Sequence, residues 1–213
     1  MTARSDTDAL IQDLSARLSA GATATETLLA WCEEHGLSQG PITAACHQRQ
    51  VLSVVPDNVS TALAPVTGET VHFRQVRIMR GPLPLATAEN WFVPQRLAAG
   101  MNEDLQTTDV PFGTVVAPLH PSRRTLTVHV EPLAIDPCED PSWLSTSAHQ
   151  SQPAVILEHT AVICSGTGTA LALVTERFFS DLASFAASKS SLRRGLDGRS
   201  RTGSATQQVR LER

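Results

Sequence analysis

The sequence predicts an α+β domain built on an antiparallel sheet, and three observations carry this. Segments in which apolar and polar side chains alternate recur at 71–79, 85–93 and 124–133, the period of a strand with one buried face. Turn signals rich in Gly and Pro join strand-like runs closely enough for antiparallel pairing. A helical stretch stands ahead of these strands, so helices gather toward the N-terminus and in the connections.

Two helices are expected to open the chain. In "TATETLLAWCEEHG", Thr23 and Glu26 stand at capping-box spacing and Gly36 offers a stop, with Leu28, Trp31, Cys32 and His35 at helical spacing. Residues 42–55 read as strand-rich until Pro56 and Asp57 break the run. "RGPLP", between the first two alternating segments, signals a hairpin turn. "AAGMNEDLQ" predicts a short helix, and "PFGTVV" a second short element entered at Pro111.

Residues 136–153 are dominated by Pro, Ser, Asp, His and Gln, the composition of a long surface loop or insertion. A final hairpin follows: "AVILEHTAVICS", then "GTGT", then "ALALVTERFF". Gly166 and Gly168 read as turn residues. No third Gly, no Lys and no helix start accompanies them, so a phosphate-binding loop is excluded.

The formal net charge of −4 is unevenly distributed. From residue 187 onward there are seven basic residues against Asp197 and Glu212, a net +5 that leaves −9 on the body. Residues 1–186 therefore read as the folded domain and 187–213 as a basic, disordered tail. An acidic body argues against a nucleic-acid-binding domain, since phosphates need a basic face. No apolar run reaches the ~18–20 residues of a membrane helix, so no membrane partner is expected. Cys32, Cys46, Cys138 and Cys164 are scattered without a CxxC pair, the pattern of reduced thiols in a cytoplasmic protein. The opening "MTARSDTDALIQDL" has no secretory apolar region.

Splitting each strand into its two faces isolates three polar residues. Glu176 shares a face with Ala170, Ala172, Val174 and Phe178. Arg74 lies with His72, Val76 and Ile78, and Asn90 lies with Ala86, Ala88 and Phe92. A charge on a buried face costs several kcal/mol unless it is paired or meets a ligand. Small residues around it leave room for a polar pocket. The alternative is a structural ion pair between Glu176 and Arg74, or a face open to water. The seven histidines show no HxH or HxxxH spacing, and no GxSxG or reactive-cysteine signature occurs. No metal and no cofactor is expected.

In order, "FRQVRI", a turn, "AENWFVP", "TTDVPFG" and "LVTERF" resemble the chorismate pyruvate-lyase family, which makes 4-hydroxybenzoate in ubiquinone biosynthesis, and its wider superfamily. The resemblance covers about residues 25–179. It implies a single antiparallel sheet covered by helices around a buried ligand cavity. By the same resemblance, Arg74 holds the ligand carboxylate, Glu176 bonds the ring hydroxyl, and the backbone at Phe112 and Gly113 contacts the ligand. Asn90 stands where the lyase has a second arginine, with Arg96, Arg123 or Arg124 as substitutes reaching in from a loop.

The activity implied is elimination of pyruvate from chorismate, with Arg74 and Glu176 as the catalytic pair acting through orientation and charge. Substrate-binding residues would be Arg74, Asn90, Phe112, Gly113 and Glu176, and the partner a small aromatic or cyclohexadiene carboxylate. The alternative is a non-catalytic aromatic-acid-binding domain, a sensor or carrier of the same fold. The sequence specifies neither the hydroxybenzoate isomer nor the oligomeric state.

Overall fold

The computed structural model of the chain describes residues 2–21, 23–131 and 153–183. The insertion expected at 136–153, Pro153 apart, and the basic tail from 187 lie outside these residues. Helix α1 (Thr2–Ala20) turns Ile11, Leu14 and Leu18 inward. Helix α2 (Ala24–His35) begins and ends as its sequence dictates. Thr23 accepts a hydrogen bond from the Glu26 amide at 3.3 Å, and Gly36 closes the helix at φ +62°. Only glycine adopts that conformation at little cost, and its N–H caps the carbonyls of Cys32 and Glu33.

The strands are β1 (Ile42–Val51), β2 (His72–Arg80), β3 (Leu83–Phe92), β4 (Ser122–Val130), β5 (Val155–Cys164) and β6 (Ala170–Phe179). They form one antiparallel sheet in the order β1-β2-β3-β6-β5-β4. After β3 the chain runs through α4 (Met101–Thr107) and α5 (Phe112–Val116) to the far edge. It returns inward through β5, so β6 pairs with β3 at the centre of the sheet. The two elements expected between β3 and β4 are therefore both helical. The hairpin turn at Gly81 (φ +54°) and the 165–169 turn, with Gly168 at φ +86°, are where the sequence puts them.

One sheet face packs under α1, α2, α4 and α5 and holds most of the buried apolar residues. The other carries a smaller cluster under α3 (Asp57–Leu63), where Val59 and Leu63 meet Val71, Val93, Val162 and Leu173. Trp91 is only partly buried against that cluster, its ring 5.3 Å from that of Phe73. The sequence reading gave Pro56–Asp57 only as a break. Pro56 is in fact the N-cap of α3, whose two buried residues are too few to show a helical period.

Candidate functional site

The strand register gathers the polar residues on the helix-covered face. One row of paired positions runs Arg74, Asn90, Val174, Ala161 and Thr125 across five strands. The next row runs Val76, Ala88, Glu176, His159 and Val128. The row on the other side ends at Arg123, opposite Ile163. Alternation along each strand thus brings Asn90, Glu176, Arg123 and His159 onto one surface beneath the helices.

Between this surface and the helices lies a cavity of about 30 Å³, room for about two waters at ~10–15 Å³ each. Its roof is the first turn of α2 at Thr23–Thr25 and the entry to α5 at Pro111–Gly113. Gly113 makes that roof possible. A Cβ there would lie 2.8 Å from Thr23 Cβ and 3.0 Å from Thr25 Oγ1, so a larger residue would push α2 away. Phe112 is buried beside the cavity with its ring 5.8 Å from that of Phe92. Ala44, Val76, Ile78 and Ala88 form an apolar floor, and Asn90, Arg123 and Glu176 supply the polar wall.

Arg123 Nη2 donates to Glu176 Oε2 at 2.7 Å, with the two side chains 0% and 8% exposed. The remaining nitrogens of this guanidinium, Nε and Nη1, are buried without a hydrogen-bond partner. Asn90 is 3% exposed, and its amide has no hydrogen bond to any described residue. Close by on β5, His159 is fully buried, with Nε2 3.0 Å from the Ser15 hydroxyl and Nδ1 unpartnered. Burial, and then the charge of Arg123, push its pKa down to about 4. The imidazole is therefore neutral near pH 7.

Arg74 is placed differently from the expectation. It is 1% exposed, yet it does not line the cavity. Its Nη1 donates to the Val110 carbonyl at 3.1 Å, and its Nη2 to Thr108 at 3.1 Å and Ala44 at 3.5 Å. Burial lowers its pKa from the ordinary arginine value. Arg49 also donates to the Thr108 carbonyl, and the Ala44 amide donates to Asp109. Arg74 thus straps residues 108–110, the approach to the roof, onto β1 and β2.

No ion pair joins Arg74 to Glu176; the partner of Glu176 is Arg123. Arg123 stands on β4, not on a loop, and Arg96 is committed to Glu69 and to backbone carbonyls. The sequence reading began this strand at residue 124, whereas it begins at Ser122. That difference left Arg123 as one of three candidate cations, placed on a loop. Counted from Ser122, alternation puts Arg123 and Thr125 on the buried face and Arg124 outward, the signal that would have found it. Of the expected site residues, Asn90, Phe112, Gly113 and Glu176 meet at the cavity and Arg74 stands behind it. Among the described residues, no group of three or more His, Cys, Asp and Glu could hold a metal ion. None of the described helices is long and apolar enough to cross a membrane.

Protein y4mC of Sinorhizobium fredii (strain NBRC 101917 / NGR234) is 34% identical to this chain over 183 residues, spanning 84% of this chain and 77% of y4mC. The chain belongs to the y4mC family. The relative's name assigns no activity, so membership carries none to this chain. No protein-family model matches the sequence. Among solved structures, PhnF from Mycobacterium smegmatis is similar at TM-score 0.50 and 13% identity, over 76% of this chain and 65% of PhnF. The effector domain of that protein aligns at 0.48 and 11%, covering 75% of this chain and 90% of the domain. A GntR-family transcriptional regulator from Bacillus cereus aligns at 0.39 and 11%, covering 66% and 92%. At such identities the likeness is one of fold alone.

Proposed function

We propose that this member of the y4mC family is a non-catalytic binding module that seats the polar end of a small organic acid in the cavity beneath α2 and α5. One observation carries the reading: Arg123, a residue of the cavity lining with its side chain fully buried, has two nitrogens without hydrogen-bond partners. A buried charged donor left unmatched costs several kcal/mol, and an anionic acceptor in the cavity relieves that cost. The roof favours the same sign of charge, because the first turn of α2 presents the positive end of its dipole. The apolar floor fits the hydrocarbon part of such an acid.

The lyase implied by the sequence resemblance has less support in this geometry. Its carboxylate-holding arginine, Arg74, is used by backbone carbonyls, and the Glu176 carboxylate is engaged by Arg123. Arg74 is thereby kept from the cavity, so the carboxylate anchor of that mechanism is missing there. The fold likeness to effector domains agrees with binding without chemistry.

Titration calorimetry with a panel of small carboxylates, run beside a pyruvate-release assay on chorismate, tests the reading. Saturable heat with at least one carboxylate and no pyruvate above the uncatalysed rate is expected. Catalytic pyruvate release that is lost in Glu176→Gln would restore the lyase.

A further inference from the structure

The cavity's charged groups touch each other, and that contact limits which ligands can engage both. Arg123 Nη2 is bonded to Glu176 Oε2 at 2.7 Å. Arg123 Nε and Nη1 remain as donors, and the second carboxylate oxygen of Glu176, Oε1, lies outside that contact. Building on the binding reading above, we propose that the ligand is a carboxylate with a hydroxyl one or two carbons from the carboxyl carbon. This means an α- or β-hydroxy acid, the aromatic form being an acid hydroxylated in the ortho position. Its carboxylate lies on Arg123 and its hydroxyl donates to Glu176.

The geometry favours this class over a para-hydroxylated acid. Guanidinium and carboxylate stand side by side, so the groups that address them must also stand side by side. A para isomer holds its polar ends a full ring apart. With its carboxylate on Arg123, its hydroxyl is carried a ring's length away from that group and out of reach of the Glu176 carboxylate beside it. An unmatched hydroxyl in a buried site is penalised, which is how a polar pocket separates isomers.

Matched isomers measured by calorimetry on the full chain test this directly: 2-hydroxybutyrate against 4-hydroxybutyrate, and 2-hydroxybenzoate against 4-hydroxybenzoate. The isomer with the closer hydroxyl is expected to bind about tenfold more tightly within at least one pair. Glu176→Gln should erase that preference while leaving a carboxylate site. Arg123→Lys, which keeps the charge and folds more readily than a neutral replacement, should weaken both members of a pair. Equal or tighter binding of the separated isomers in both pairs overturns the inference and leaves the binding module standing. So does an isomer preference that survives in Glu176→Gln. Absence of binding by all four acids, with folded protein, overturns both readings.

Discussion

Arg123 is the residue on which this account turns, and its energetics are testable without a ligand. Replacing it by Met leaves Glu176 buried beside no cation, a situation that costs about 3–5 kcal/mol. Urea unfolding of Arg123→Met should show a loss of that order. Adding Glu176→Leu should recover most of it, because an apolar pair of similar volume removes the uncompensated charge. If the single variant is as stable as the wild type, the ion pair is not buried as described. His159 offers a second test at the same scale. Its folded pKa of about 4 lies below the ordinary histidine value. Stability from this group is complete above that ordinary value and is lost as pH falls toward 4, because the unfolded chain takes up the proton first. The loss is on the order of 3 kcal/mol. His159→Leu should flatten this part of the stability–pH profile; an unchanged slope would mean that the imidazole is not held neutral.

At the scale of elements, the segment entering α5 connects sheet to site. Arg74 and Arg49 hold its carbonyls, and Gly113 lets it approach the first turn of α2. Arg74→Met should raise amide hydrogen exchange at 108–113 well above that of the central strands, since the straps on these carbonyls are gone. Gly113→Ala should destabilise the fold by about 1–3 kcal/mol through overpacking against Thr23. These elements were partly legible in the sequence. Pro111 marks the entry, and the α2 caps were readable because Thr23, Glu26 and Gly36 act locally. The fixing of residues 108–110 by Arg74 was not legible. Its side chain looked like a ligand-holding cation because alternation gives the face of a residue but not where a long side chain ends.

For the whole molecule, strand alternation and turn chemistry carried the sequence to the right class, and the return of β6 to the centre of the sheet decides what the site contains. Strand order is a long-range property. Nothing local in "SRRTLTVHV" says that β4 ends up two strands from β6, with Arg123 against Glu176. Asn90 and Glu176 were legible as polar residues among alanines; the cation that pairs with Glu176 was legible only as one of three arginines. The central claim, that Arg123 and not Arg74 meets an organic acid in the cavity, is tested most directly by NMR on protein labelled with ¹⁵N-arginine. The Nε–H signals are assigned with Arg123→Lys and Arg74→Met and followed as 2-hydroxybenzoate is added. A saturable shift of the Arg123 signal, with that of Arg74 little changed, is the predicted result. A shift confined to Arg74, or none at either arginine at saturating acid, would contradict it.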